Sequence, residues 1–270
     1  MVVTGSFDDL RSRHVRLLEE AAKLGQVHVV LWSDEGIRSL TGKAPRFPQE
    51  ERLYLLQAIR YVSAATLATG PVEPDALPAS DVIPPDLWVV DAASDSAQKR
   101  AYCQARGIEY CALADADLEG FPVAPAEAHA AHPPRRKVIV TGCFDWFHSG
   151  HVRFFEEVSA LGDLYVVVGH DANVRALKGA GHPLFPQDER RYMVQAVRYV
   201  KEALISTGHG WMDAEPEIAC IKPDIYAVNE DGDRPEKRAF CAQCGLEYVV
   251  LKRTPKEGLP RRSSTDLRGY

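Results

Sequence analysis

The sequence predicts an α/β protein of two tandem domains, each a parallel sheet with helices on both faces. Three observations predict it. The chain is one sequence written twice, each copy alternates short apolar strands with helix-spaced segments, and no apolar run reaches the ~20 residues that span a bilayer. The repeat is direct. Thr4-Gly-Ser-Phe-Asp8 returns as Thr141-Gly-Cys-Phe-Asp145, and Phe47-Pro-Gln-Glu-Glu-Arg52 as Phe185-Pro-Gln-Asp-Glu-Arg190. Gln57-Ala-Ile-Arg-Tyr-Val62 returns as Gln195-Ala-Val-Arg-Tyr-Val200, and Lys99-Arg-Ala-Tyr-Cys103 as Lys237-Arg-Ala-Phe-Cys241. The offset is 137 at the start and 138 from Phe47 onward, so a single residue separates the copies. The domains are read as 1–113 and 137–270, with 114–136 between them as an Ala- and Pro-rich linker that can hold a short helix; its His129 and His132 read as solvated.

In the second copy, Val138–Thr141 is a short apolar strand. Val152, Phe155, Val158 and Leu161 recur at helical spacing, which predicts a helix over 151–161. Leu164–Val168 is an apolar run with the character of a buried strand, and 188–200 carries a longer helix pattern. Ile225–Val228 reads as a strand, Pro235–Cys244 as a helix and Tyr248–Leu251 as a strand. Ligands of such sheets sit beyond the carboxyl ends of the strands, which is where His148, Asp171, Asn229 and Arg253 are expected.

Composition narrows the function. The 270 residues are 46% hydrophobic and 26% charged with net charge −6, which disfavours a nucleic-acid-binding face and leaves room for a local phosphate pocket. The chain enters an apolar strand at once, with no room for a signal peptide, so a cytoplasmic protein is expected. Of the six cysteines only Cys241-x-x-Cys244 has metal or redox spacing. It lacks a second pair, and Arg106 replaces its second cysteine in the other copy, so structural thiols and no metal site are expected.

The chemistry gathers at the first turn of the second copy. Gly142 permits a tight turn or a close backbone approach. His148-Ser-Gly-His151 then opens a helix, whose free N–H groups and positive end attract phosphate. Gly150 lets the backbone approach, and two imidazoles three residues apart share a face. Lys178 opens a Gly-rich loop over 178–181. Asp171 can cap a helix over 172–177. His170, His182 and His209 read as surface or packing residues, and nothing marks Cys143 as a nucleophile.

These motifs resemble the H-x-G-H nucleotidyltransferase superfamily, most closely its cytidylyltransferases, over all of 137–270. Gly142-Cys-Phe-Asp145 with His148-Ser-Gly-His151 resembles the first family motif. Asp188 to Val200 resembles the E-R-Y-x-x-V helix, whose arginine reaches the nucleotide phosphates, a role the resemblance gives to Arg190. Arg262-Ser-Ser-Thr-Asp-Leu267 is similar to the late I-S-T-T segment, so Ser263, Ser264 and Thr265 are implied phosphate contacts, with Arg253 in the R-T step before them. The resemblance implies Rossmann-like domains and in-line attack of a substrate phosphate or phosphonate on the α-phosphate of CTP, with pyrophosphate leaving and Mg²⁺ held mainly by triphosphate oxygens. His148, His151, Lys178 and Arg190 are the implied catalytic set. Gly142, Cys143, Phe144, Gly150, Asn229 and Asp231 are implied nucleotide contacts, and Asp145 and Asp171 substrate contacts. The Asn229-Glu-Asp-Gly-Asp233 turn departs from the family's H-G-N-D form, which leaves the base open.

The expected substrates are CTP and a small phosphorylated alcohol, amino alcohol or polyol. The tandem build resembles the ethanolamine-phosphate cytidylyltransferases, although there the first copy keeps the motif. The alternative is an adenylyltransferase using ATP and a sugar phosphate, because Asn173 to Gly179 resembles the adenylyl domain of ADP-heptose synthases. A non-catalytic nucleotide-binding scaffold is the rival from another class. An aminoacyl-tRNA synthetase lacks its K-M-S-K-S segment here, and no G-x-G-x-x-G marks a nicotinamide enzyme. In the first copy Arg11 stands at the His148 position, Arg13 at Gly150 and Thr41 at Lys178, and only His14 of the pair survives. That copy is expected to be inactive and to serve as the partner surface of an intrachain pseudo-dimer, with a homo-oligomer also open.

Overall fold

The computed structural model describes residues 1–79, 85–123 and 135–267. The chain divides into two compact units, Met1–Gly120 and Phe121–Tyr270, so the division falls inside the segment read as a linker. His129 and His132 lie outside the described residues.

The first unit holds β1 (Val2–Gly5), α1 (Ser12–Ala22), β2 (Val27–Leu31), α2 (Asp34–Thr41), α3 (Gln49–Ala58), β3 (Val62–Leu67), β4 (Leu87–Asp91), α4 (Ala97–Arg106) and β5 (Glu109–Leu113). Its sheet order is β3-β2-β1-β4-β5, all parallel. Asp115–Leu118 follows as a 3₁₀ turn with Leu118 buried, so the segment after Leu113 begins as packed structure.

The second unit repeats the plan with β6 (Lys137–Gly142), α5 (Ser149–Ser159), β7 (Asp163–Val168), α6 (Asp171–Lys178), α7 (Gln187–Gln195), β8 (Val200–Ile205), α8 (Glu215–Ile221), β9 (Ile225–Asn229), α9 (Pro235–Cys244), β10 (Glu247–Leu251) and α10 (Ser264–Leu267). Its order is β10-β9-β6-β7-β8, again parallel. Each unit is thus a Rossmann-like doubly wound sheet. The strand order reverses between β6 and β9, and that switch point opens a crevice at the carboxyl ends of the strands.

Periodicity explains most of these elements. β7 carries Leu164, Val166, Val167 and Val168 fully buried, as a central strand covered on both faces must be. α5 buries Val152, Phe155 and Val158 as one stripe. Truncating Phe155 to alanine would cost about 3–5 kcal/mol. Leu161 lies beyond the end of α5 and is exposed, because the chain turns at Ala160. The opposite face of the sheet holds Ile139, Tyr165, Val167, Ile218, Tyr226, Val228 and Cys241.

The long helix expected over 188–200 is shorter. α7 stops at Gln195, and Val200 already opens β8. The Gln195 amide replaces the missing backbone partners, its Oε1 accepting from Ala203 N at 2.7 Å. A polar residue on an apolar-periodic stretch thus ties the helix end to the next strand, which a 3.6-residue pattern does not register. The same bias hid β8 and α8. Cys241 is buried and Cys244 exposed, and all six cysteines are free. No described helix is long and apolar enough to cross a membrane.

Candidate active site

The site is built on the turn between β6 and α5. Phe144 takes a left-handed backbone (φ 52°) and folds its ring back over Gly142. A Cβ at position 142 would come within 2.7 Å of that ring, so the packing of Phe144 requires glycine there. The Phe144 ring meets His151 edge-on, with centroids 5.3 Å apart. His148 is the N-cap of α5, and its Nδ1 accepts from Gly150 N at 3.1 Å. Gly150 is required by this arrangement, since a Cβ would lie 2.9 Å from His148 Cε1 and 3.0 Å from Nδ1.

The two imidazoles stack with centroids 3.8 Å apart and planes inclined by 19°. Burial drives the His148 pKa down to about 3, with Arg253 and Arg262 adding to the effect. Burial, then the neighbouring His148, likewise hold His151 well below the ordinary histidine range. Both rings are therefore neutral at pH 7. Because Nδ1 of His148 accepts a hydrogen bond, its proton resides on Nε2. That Nε2, and Nδ1 of His151, are buried without a hydrogen-bond partner. Leaving such a group unpaired costs about 1–3 kcal/mol, which an anionic ligand can recover by accepting from Nε2–H.

These rings border a cleft of about 180 Å³. The turn Thr141 to Asp145 forms one wall with His148, Gly150 and His151. Lys178, the last residue of α6, reaches it from one side. Asn229, Asp231 and Gly232, from the turn after β9, line it with Lys237 of α9, Arg253 and Ser264. Of the nearby cations, Arg253 is tied to Asp231 at 2.5 Å and donates to Arg262 O. A narrower groove adjoins, where Lys252, Thr254, Lys256 and Arg261 face Arg153 and Glu157 of α5.

Several residues assigned from motifs fall elsewhere. Arg190 does not reach the cleft as a phosphate ligand. It is buried, donating to the carbonyls of Phe185, Cys143 and Gly169 and pairing with Asp171 at 2.7 Å. Arg52 makes the matching bonds in the first unit, to Phe47 O, Ser6 O, Trp32 O and Asp34. A bond set shared by both copies holds the fold of the turn. Asp171 is the partner in that lock and not the cap; His170 caps α6, its Nδ1 accepting from Asn173 N. Asp145 lines the cleft, but its Oδ1 accepts from Leu184 N and Phe185 N, as Asp8 accepts from Arg46 N and Phe47 N. Ser263 is engaged with Asp266, and neither Ser263 nor Thr265 lines the cleft; Ser264 does, while donating to Trp146 O. The catalytic candidates the fold brings together are therefore His148, His151 and Lys178.

The cytidylyltransferase-like family model matches residues 2–105 and 139–268. The chain belongs to the cytidylyltransferase-like family. It is a nucleotidyltransferase. It is 36% identical over 135 residues to an FAD synthase of Ferroglobus placidus, covering 49% of this chain and 85% of that protein. It is 40% identical over 97 residues to the bifunctional protein HldE of Methylococcus capsulatus, covering 36% of this chain and 20% of that protein. Among solved structures it is similar to the lipopolysaccharide core biosynthesis protein of Thermoplasma volcanium. That match is 24% identical with a TM-score of 0.39, and covers 46% of this chain and 99% of that one.

This family member carries its motif chemistry in the second unit. In the first, Arg11 replaces the capping histidine and pairs with Asp9 at 2.6 Å. Arg13 pairs with Asp115 and Asp91, so both arginines are matched by carboxylates. His14 Nδ1 accepts from Arg11 N, a partner that His151 Nδ1 lacks. Trp32 stands where the second unit has Gly169, and its indole donates to Thr4 Oγ1 at 2.8 Å, covering the end of β1. Thr41, at the Lys178 position, turns back onto Ile37 O.

Two features escaped sequence reading. One is Trp32, whose indole stands over the end of β1 in the first unit. The other is Lys237, whose presence in both copies, as Lys99 and Lys237, reads as a fold position. The available signal was a lysine inside the apolar stripe of a helix, where its burial has to be compensated.

Proposed function

We propose that the second unit is an adenylyltransferase that moves AMP from ATP onto the phosphate of a small acceptor, and that it carries the one active site of the chain. The stacked, neutral histidine pair on the wall of a lysine-lined cleft carries this reading. A phosphate oxygen of the acceptor forms a bond to the α-phosphorus of ATP, and the bond to the β-phosphate bridge breaks in line, releasing pyrophosphate. The attacking oxygen is already anionic, so no general base is needed. His148 donates from Nε2 to the α-phosphate as its charge shifts, and Lys178 offsets the triphosphate charge.

ATP is preferred to the CTP expected from the motifs because the FAD synthase relative, by its name, makes an adenine dinucleotide. FMN is therefore the first acceptor to try. Among the described residues no group of three or more histidine, cysteine or acidic side chains could hold a metal. In this reading Mg²⁺ is held by phosphate oxygens and water, where it screens the triphosphate.

Pyrophosphate release measured for ATP and for CTP tests this, each with FMN, sugar phosphates, polyol phosphates and phosphorylated amino alcohols. Release with ATP and one acceptor class is expected. Release with CTP alone overturns the choice of nucleotide, and release with no pair overturns the proposed reaction.

A further inference from the structure

Lys237 is a buried lysine at the cleft that the mechanism above does not use. It projects from the first turn of α9, and only 8% of the residue is exposed. Its ammonium lies 5.7 Å from the Tyr226 ring and makes no hydrogen bond or ion pair among the described residues. Tyr226 OH is itself bonded to Thr141 Oγ1, which lines the cleft. The first unit supplies an internal control. Lys99 stands at the same place, equally buried and 5.9 Å from the Trp88 ring, yet its ammonium donates to Ser94 O. The copy without the histidine pair has thus satisfied its lysine internally. In the copy with the pair, the lysine borders the cleft without a hydrogen bond.

Burying an ammonium group is costly unless it is paired and hydrogen-bonded. Burial does lower the Lys237 pKa, while Asp213 opposes the fall. The histidines are neutral and Arg253 is neutralised by Asp231, so the cleft has two lysines left to meet phosphate charge, Lys178 and Lys237. We propose that Lys237 is a phosphate-binding residue of the cleft, contacting a substrate phosphate opposite Lys178. This rests on the reading that the cleft binds nucleotide and a phosphorylated acceptor. The phosphate is that of the triphosphate or of the acceptor, and the two sources are experimentally separable.

The test uses the full chain as wild type, Lys237→Met, Lys237→Arg and Lys99→Met, with calorimetric binding and melting temperature measured for each. One arm titrates MgATP and, separately, adenosine. The other titrates inorganic phosphate into protein saturated with α,β-methylene-ATP, as a probe of the acceptor phosphate. Lys237→Met is expected to weaken at least one phosphate ligand tenfold or more and to leave adenosine unchanged. Lys237→Arg should retain most of the binding, and Lys99→Met should shift only the melting temperature. A loss in the first arm assigns the triphosphate, and a loss in the second the acceptor. Unchanged binding in both arms overturns the proposal, as does an equal loss with Lys99→Met. Should Lys237→Met fail to fold, Lys237→Gln replaces it under the same criteria. If the wild type binds neither ATP nor CTP, the reading of the cleft itself fails, which is a different result from a binding wild type and an indifferent variant.

Discussion

His148 and Gly150 are fitted to each other: the imidazole Nδ1 accepts from Gly150 N at 3.1 Å, and a Cβ on Gly150 would lie 2.9 Å from the ring. Gly150→Ala is therefore expected to displace the His148 ring and lower kcat about 100-fold, or ~2.7 kcal/mol in the barrier, with a stability change of ~1 kcal/mol or less. The double variant His148→Ala with Gly150→Ala should be no slower than His148→Ala, since the clash then has no partner. Steady-state pyrophosphate release gives both values, and additive losses would refute the coupling.

The depressed His148 pKa makes stability depend on pH. Its folded value of about 3 lies below the unfolded value of about 6.5, so on acidification the unfolded chain takes up the proton first. The stabilisation is full above pH 6.5 and is lost as pH falls toward 3, reaching about 2 kcal/mol of loss at pH 5. His148→Asn should show a shallower fall in melting temperature between pH 7.5 and 5. Parallel curves for the two proteins would contradict a buried neutral ring.

Arg190 is expected to act on stability. Arg190→Met strands three carbonyl acceptors and Asp171, a loss on the order of 3 kcal/mol. Arg52→Met should produce a comparable loss through the first unit with no change in the KM for ATP. Denaturant unfolding of each variant measures both. A folded, fully stable Arg190→Met protein with a raised KM would return Arg190 to the phosphates.

The first unit is not expected to be rescued by restoring its motif. In a chain carrying His148→Ala, adding Arg11→His and Arg13→Gly should give no pyrophosphate release, because Trp32 still covers Thr4 and Thr41 stands at the Lys178 position. Conversely, Arg11→Ala with Arg13→Ala in an otherwise normal chain should leave turnover unchanged, since these partly exposed pairs contribute ~1 kcal/mol or less each. Recovered activity in the first protein would overturn this.

The amino-acid sequence by itself determined the duplication, the alternation of strand and helix, and the place of the candidate site. Repeat offsets and apolar periods are one-dimensional, and His148-Ser-Gly-His151 is contiguous, so one helix start fixes its geometry. The connection rules narrow the strand order to a handful of arrangements, and the structure decides among them. Tertiary structure decided which polar residues of the motifs are committed to the protein itself. Arg190, Asp171 and Asp145 resemble ligand residues in the motif, yet their partners are backbone groups and side chains up to 47 positions away. The same holds for Lys237, whose likeness to Lys99 in sequence conceals that one ammonium is bonded to Ser94 O and the other is not. Whether a charged group binds a ligand depends on what already satisfies it, and that is set by distances across the sheet rather than by neighbours in the chain.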